Sequence, residues 1–588
     1  MSQSKVKSGS IIGAGDRVAP YDAMVYQDGT YTIAVDGDGN IIKKVLSSVN
    51  TDDIAIQAAI AAITERGCLI LNTGEYVLEN TICINNNIDM IGVGPVDFVW
   101  EYPVAAGYGV DISGSVGSTY LILLDVAANQ REIEYTGDLT GVISQHDLIL
   151  VYDDTIWSPG APSPYDVWKT GEVHMVKSVE YAAPKTTITV YDSFINDYHT
   201  VDNASFIHYN PISVKFENIN IAGNDQDRDI YGIRMKYCID SLVTGCCFER
   251  IGGVGINIHN SYNTVVKDCQ FIDMDSDTTH GEGGIGYGVL IENGSAYNKI
   301  DMCHFENVRN GVNLGGIGII GQPRENSIST CSFTGIISNC VYISPCVESA
   351  QVFGCNIKAN GVCCVLSGAK ITSVYNNYAD NADVFFEADG EFVSDMISFI
   401  SCNTITNSNV GIQSKLSGVD YKGIIVSDNG FICCDSVCDI TRSTESIKLS
   451  GNLFLSDAAA TVSDIVSLEN IGAGIVSNNC IRNAYARCLH ISDSSHISVV
   501  NNNFIDGNRN NDSGIEYILI EDSTGLLLQA NSFTETIHML NSTKVITETG
   551  SGSNENVIIS NYVKNLGSVP SFSTVGDKST IDYNAIYT

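Results

Sequence analysis

The sequence predicts an all-β solenoid, and three observations carry that prediction. First, one short phrase recurs from residue 245 to residue 563: Cys or Asn, any residue, then an aromatic or branched apolar residue. It reads Cys246–Phe248, Cys269–Phe271, Cys303–Phe305, Cys331–Phe333 and Cys355–Ile357, then Asn376–Tyr378, Asn403–Ile405, Asn429–Phe431 and Asn452–Phe454. It continues as Asn479–Ile481, Asn502–Phe504, Asn531–Phe533 and Asn561–Val563. Second, successive phrases lie 21 to 34 residues apart, the length of one solenoid coil. Third, the composition suits stacked strands and tight turns: 54 Gly, 11 Pro and only 17% charged residues among 588. A β-sandwich would turn every eight to twelve residues without a phrase repeating at coil length.

Each position of the phrase has a physical reason. A coil is too short to bury its own apolar residues, so it must stack on its neighbours. Asn tolerates the left-handed backbone of a sharp turn and forms side-chain ladders when stacked. Cys is a small side chain that accepts burial. The apolar residue two positions on points to the same face, the interior.

Residues 1–45 read as an attachment or capping segment, with turns at Asp28-Gly29 and Asp38-Gly39. Residues 46–104 hold one helix and the first coils. Thr51-Asp52-Asp53 supplies the helix N-cap and first-turn charge, Ile54 to Ile63 is apolar at helical spacing, and Arg66-Gly67 closes it. Its apolar face is expected to plug the open end of the solenoid. Cys68 to Leu71 and Tyr76 to Leu78 follow as strands around a Thr73-Gly74 turn. Residues 105–212 break the coil pattern and read as an inserted β-subdomain, with a Pro-rich aromatic loop from Trp157 through Tyr165 to Trp168. Residues 213–588 are the main solenoid.

The run Thr51-Asp52-Asp53, Gln57-Ala58-Ala59-Ile60, Gly67 and Gly74-Glu75-Tyr76 resembles the opening of right-handed parallel β-helices of the pectate lyase superfamily. That superfamily includes bacteriophage and archaeal-virus tailspikes and depolymerases, polygalacturonase-like hydrolases and several polysaccharide lyases. The resemblance covers roughly residues 45 to 588. It implies a right-handed parallel β-helix with an N-terminal capping helix and an inserted β-subdomain of the tailspike type. Gly286-Tyr287-Gly288-Val289 followed by Val308-Arg309-Asn310-Gly311 is similar to a pair of segments common in phage-associated β-helices, where the second often carries Arg-His; this chain has Arg309-Asn310. The aspartate triad, Gly-His-Gly and Arg-x-Lys set of polygalacturonases is absent, which argues against a pectinase.

The formal net charge of −37 argues against nucleic acid or an anionic membrane as partner. No apolar run reaches membrane length, and Met1 to Ser10 is polar, so neither membrane insertion nor a secretory leader is expected. The 19 Cys lack disulfide-framework spacing and read as buried thiols made in a reducing compartment. The close set Cys433, Cys434 and Cys438 has no second pair to complete a zinc pattern.

Chemistry concentrates between residues 225 and 325. The longest coil, between Cys269 and Cys303, carries Asp273, Asp275, Asp277, His280 and Glu282; an earlier turn carries Asp225, Asp227 and Asp229. Glycoside hydrolysis would draw its two carboxyls from Asp275, Asp277, Glu282, Asp227 or Asp229, set about 5 Å apart for retention or 6.5–9.5 Å for inversion. β-Elimination from a uronate would use His280 as base, with Arg309 or Arg324 neutralising the substrate carboxylate. The two acidic runs are also candidate oxygen ligands for Ca²⁺ or another divalent cation, although no cofactor is required. Trp157, Tyr165 and Trp168 are candidate platforms for sugar rings. The bland alternatives are solvated acidic turns and aromatic residues that merely pack the insertion.

These readings converge on a virion tailspike or receptor-binding protein that grips, and in one variant cleaves, a cell-surface glycan. The resemblance implies a homotrimer joined to tail or baseplate proteins through residues 1–45, assembled in a host cytoplasm and exposed outside cells on the virion. A secreted polysaccharide hydrolase or lyase, and a structural surface, filament or capsid-decoration subunit, are the alternatives.

Overall fold

A computed structural model describes residues 21–587, apart from 48–50, 101–106, 158–166, 224–230, 275–285, 316–319, 390–395, 416–420, 457–463, 485–486, 507–515, 535–543, 551, 554, 565–570, 574–579 and 583–584. The chain divides into two compact units, residues 1–159 with 163–332, and residues 333–588 with 160–162.

The first unit opens on three antiparallel strands, Ala23–Gln27, Tyr31–Asp36 and Ile41–Leu46. Helix Asp52–Ala62 follows and buries Ala55, Ile56, Ala59 and Ile60. Thr51 makes no side-chain cap bond, contrary to the sequence expectation. The first-turn aspartates face inward instead. Asp52 accepts from Thr32 Oγ1 at 2.5 Å and from the Val77 N–H at 2.9 Å, and Asp53 accepts from Asn80 Nδ2 at 3.0 Å. Burial in the sheet outbids local capping here, because each carboxylate satisfies donors from other strands. The helix ends at Ala62, and Gly67 already opens a continuous strand, Gly67–Leu78, that runs through the expected Thr73-Gly74 turn.

Coils of three short parallel strands then stack in register. In one coil the strands are Leu242–Thr244, Cys247–Glu249 and Val254–His259; the next has Val265–Lys267, Gln270–Ile272 and Tyr287–Glu292. Phe248 pairs with Phe271 and Phe271 with Phe305, and their rings stack at 4.9 and 4.8 Å with 7° between planes. That spacing is the hydrogen-bonding distance between strands. Opposite this Phe column runs a Gly column. A Cβ at Gly255 would meet the Gly288 carbonyl oxygen at 2.6 Å and the Phe271 ring at 2.8 Å, so only Gly lets the two strands close.

Between the coil strands Tyr108–Ser113 and Val214–Glu217 the chain leaves to build a six-stranded antiparallel sheet spanning residues 115–210. This subdomain has its own core, including Ile133, Ile149, Val151, Val176, Ile188 and Phe206. Strand Tyr108–Ser113, which the sequence reading placed inside the insertion, pairs with the coil strand Tyr231–Lys236.

The second unit keeps the coil plan and, after Cys355, exchanges thiols for amides at the phrase position. Asn377, Asn403, Asn429, Asn452, Asn479, Asn502, Asn531 and Asn561 form a buried ladder. Each Nδ2 donates to the next Oδ1 at 2.9–3.0 Å, and that same oxygen accepts the backbone N–H of the preceding Asn. The repeat therefore reads Asn377–Ala379, one residue later than the sequence phrase. Ala379 pairs with Ile357 and Ile405 in the interior, and Tyr378 is 42% exposed.

The left-handed turn residue also differs from expectation. It is the residue before the phrase, not its Asn. Gly245, Asp268, Met302 and Thr330 in the first unit, and Asn376, Asp428, Ala530 and Ser560 in the second, all have φ between +52° and +65°. Gly, Asp, Met, Thr, Asn, Ala and Ser share this one geometry because the ladder one residue on fixes the backbone. A β-branched residue is the most strained there. Thr330→Gly is expected to raise the apparent Tm, by relieving about 1 kcal/mol of strain net of glycine's added unfolded-state entropy. Thermal unfolding followed by circular dichroism checks it; a lowered Tm would show that Thr330 is not strained.

All 19 Cys are free, in keeping with the thiol reading. No helix among the described residues is long and apolar enough to cross a membrane.

Candidate functional site

Most of the acidic residues singled out from sequence lie outside the described residues: Asp225, Asp227, Asp229, Asp275, Asp277 and Glu282, and with them His280 and Tyr165. Asp273 is exposed, at φ +53°, and accepts from Asn307 Nδ2 at 3.0 Å. Among the described residues no group of three His, Cys, Asp or Glu is arranged to hold a metal ion. Arg309 is half-buried, and its N–H donates to the Met274 and Gly286 carbonyls.

Two expectations are corrected. Arg324 is not a surface cation: it is 1% exposed and enclosed by its own chain. Its guanidinium bonds the Asp192 carboxylate, donates to the Val173 carbonyl at 2.8 Å and to the Tyr297 hydroxyl at 3.1 Å, and lies 3.6 Å from Glu172. His174 bridges Glu172 at 3.1 Å and Asp192 at 3.2 Å. Burial alone would raise the Glu172 carboxyl, but the His174 hydrogen bond and the His174 and Arg324 charges outweigh it and hold it at about 2. The same forces keep Asp192 well below the usual carboxylate range. Arg324 therefore clasps the inserted subdomain to the coils. Trp168 is likewise only 3% exposed, which removes it as a sugar platform. Trp157 is half-buried, and its N–H donates to the Trp168 carbonyl at 2.7 Å.

The described residues bring together a different site. Four strands of successive coils share the pattern x-Gly-(Ile or Val)-x-(Ile or Met)-x: Tyr108–Ser113, Tyr231–Lys236, Val254–His259 and Tyr287–Glu292. The Gly and the branched residues face the interior, so the fourth and sixth positions face out. Strand register aligns the fourth positions as Asp111, Arg234, Asn257 and Leu290, and the sixth as Ser113, Lys236, His259 and Glu292. Arg234 and Asn257 of the first row and Lys236, His259 and Glu292 of the second floor a cleft of about 530 Å³, walled on the subdomain side by Leu150, Ile207 and Tyr209.

The floor is tightly organised. Arg234 grips Asp111 with two bonds, 2.9 and 2.6 Å, and its guanidinium lies 4.7 Å over the Tyr108 ring. Asn257 Nδ2 donates to the Tyr108 hydroxyl and to Glu292 Oε1, both at 3.0 Å. Lys236 Nζ sits 4.9 Å from the centre of the Tyr237 ring. Burial raises the Glu292 carboxyl, against the Asn257 hydrogen bond and the Lys236 charge. Burial, with Lys236 and Arg234 nearby, pushes the His259 imidazole down to about 3. His259 is therefore neutral at physiological pH. It is too weakly basic to be an efficient general base there, and serves as a hydrogen-bonding group. Burial thus favours the acid form of Glu292 more than it would be favoured on an exposed glutamate.

Among the described residues, three polar atoms on this floor are buried without a hydrogen-bond partner: Asn257 Oδ1, His259 Nδ1 and Asn260 Oδ1. A buried unpaired polar group is costly, so these atoms call for ordered water or a ligand as partner. Sequence reasoning missed this site because it followed charge density. The usable signal was the Gly-centred pattern, half seen at Gly286 to Val289, with ionisable residues at its sixth position in three consecutive coils.

A family model described as a right handed beta helix region matches residues 181–333, which include Arg234, Lys236, Asn257, His259 and Glu292. No curated protein matches the chain. Among solved structures, it is similar to the tailspike gp61 of Pseudomonas phage phi297, at 12% identity and a TM-score of 0.49, covering 88% of this chain and 73% of that one. It is similar to the gp54 tailspike of Acinetobacter baumannii bacteriophage AP22, solved with a capsular saccharide, at 14% identity and 0.45, covering 90% and 76%. A third is the tailspike gp49 of Pseudomonas phage LKA1, at 11% and 0.46, covering 91% and 77%. In-register parallel coils together with the family match make the fold of this protein the right-handed parallel β-helix.

Proposed function

We propose that this protein is a tailspike-like receptor-binding protein that holds a cell-surface polysaccharide in the cleft floored by Arg234, Lys236, Asn257, His259 and Glu292. The observation that carries this reading is the joining of a polar, register-fixed floor to an apolar wall. Sugars offer the matching pair of surfaces, a ring of hydroxyls and apolar C–H faces, and the cleft volume lies in the range of small-ligand sites, about 300–1,000 Å³. The reading includes exposure on a virion, a homotrimer, and anchorage to tail or baseplate proteins through residues 1–45.

A second, catalytic reading is favoured by Glu292, whose burial suits a general acid. Incubation with extracted capsular and O-antigen polysaccharides, read by size-exclusion chromatography, mass spectrometry and absorbance at 235 nm, separates the outcomes. Co-elution of intact polymer supports binding alone. Shortened chains without new absorbance indicate hydrolysis, and new absorbance indicates elimination. Glu292→Gln is expected to lower any cleavage by about 10²–10⁴-fold, the usual worth of a general acid, while binding persists. Absence of co-elution and of cleavage across the panel would overturn the proposal in favour of a structural subunit.

A further inference from the structure

We propose, resting on the glycan reading above, that the sugar unit seated in the cleft is anionic and carries a carboxylate, and that Lys236 is the residue that reads it. The argument begins with the cations of the cleft. Arg234 already holds a carboxylate: its Nε and Nη2 are bonded to Asp111, and its face covers Tyr108. Lys236 is different. Among the described residues it forms no ion pair, and its ammonium rests on the Tyr237 ring. The carboxyl that feels its charge is Glu292, two coils along, whose Oε1 is already taken by Asn257 Nδ2 at 3.0 Å.

A half-buried lysine with no carboxylate at ion-pair distance among the described residues is an attractive position for a ligand anion. The unpartnered atoms around it specify more. Asn257 Oδ1 and Asn260 Oδ1 are acceptors, so they call for donors on the ligand, such as sugar hydroxyls. His259 Nδ1 belongs to a neutral ring and serves either as donor or as acceptor, according to tautomer. A ligand with an anionic group and neighbouring hydroxyls meets all of these, and a carboxylated sugar is such a ligand. A phosphate-rich polymer offers few donors to the two amide oxygens. A neutral sugar leaves the ammonium unanswered.

The overall charge of −37 does not oppose this. At physiological ionic strength charges beyond about 8 Å are screened, so the cation in the cleft dominates what a bound sugar feels. The surface charge instead rejects polyanions that lack a fitting sugar, which sharpens selectivity.

The test compares binding of the full chain, by calorimetry, to oligomers of polygalacturonate, alginate and hyaluronan and of capsular polysaccharides containing uronic acids. Each is paired with its carboxyl-reduced counterpart, in which the carboxylate is a primary alcohol, and neutral oligosaccharides are run beside them. At least one acidic ligand is expected to bind, about tenfold or more tighter than its reduced form. Lys236→Met is expected to erase that difference with the melting temperature unchanged, and Lys236→Arg to restore part of it. Equal binding of acidic and reduced forms, or binding confined to neutral sugars, overturns the carboxylate assignment and leaves the glycan reading standing. Binding to no glycan overturns both. Should Lys236→Met fail to fold, the comparison of acidic and reduced ligands on the unaltered protein still decides.

Discussion

Asn452→Ala is expected to destabilise the second unit by roughly 2–4 kcal/mol, since orphaned buried groups cost about 1–3 kcal/mol each. Asn452 holds four bonds. Its Oδ1 accepts the Asn429 N–H and the Asn429 Nδ2, both at 3.0 Å, and its Nδ2 donates to the Val426 carbonyl at 3.0 Å and to Asn479 Oδ1 at 2.9 Å. The alanine strands the Asn429 N–H in a dry interior and opens a small void beside it. Asn452→Asp is expected to be worse, although it keeps both acceptor bonds. It would bury a charge and turn two donor contacts into oxygen facing oxygen, at Val426 and at Asn479. Asn452→Cys is expected to be mildest. In the first unit Cys occupies the same register position: Cys303 Sγ lies 3.6 Å from the Val266 carbonyl and 3.4 Å from the Asp301 carbonyl. Denaturant and thermal unfolding of the three variants, with exchange protection of the amides near residue 429, check the order. An aspartate variant as stable as the parent would refute the ladder account.

Arg324→Met is expected to cost about 3–5 kcal/mol at neutral pH, the usual price of removing one partner from a buried ion network. It leaves Glu172 and Asp192 ionised against each other and His174, with Glu172 1% exposed. The loss should fall on the inserted subdomain, read as faster proteolysis and amide exchange across residues 115–210. The pH dependence has a definite sign. In the parent both carboxyls are depressed, so their contribution is complete above the unfolded values of about 4 and is lost as pH falls, the Glu172 part toward about 2 and the Asp192 part lower still. Without Arg324 that depression weakens, and protonating the carboxyls relieves repulsion. The difference between variant and parent should therefore shrink as pH is lowered from 7 to 3. A difference that holds constant across that range would show that lost packing, not charge, is responsible.

How far the sequence could be read follows from what each feature depends on. The coil was legible because inward positions repeat at the coil length: Phe248, Phe271 and Phe305 stack because each is the same position of one pattern. The phrase slipped by one residue at Asn376 because Asn376-Asn377-Tyr378 satisfies it, whereas the ladder residue Asn377 is followed two positions on by Ala379, which is neither aromatic nor branched. Only strand pairing, which puts Ala379 opposite Ile405, selects Asn377. Arg324 looked like a surface cation because its partners Glu172, His174 and Asp192 are more than 130 residues away in sequence. Acidic runs drew attention for their density. The cleft instead uses single outward residues, Lys236, His259 and Glu292, separated by 23 and 33 residues and united only by register.

The sequence by itself determined the class of fold, the coil length and the interior columns, because a short-range repeat of apolar and turn residues has one economical way to bury itself, by stacking. The tertiary structure alone decided which outward side chains meet. Outward positions carry no burial constraint, so their identities follow no period. Their neighbours are set by the register of the coils and by where the inserted sheet docks.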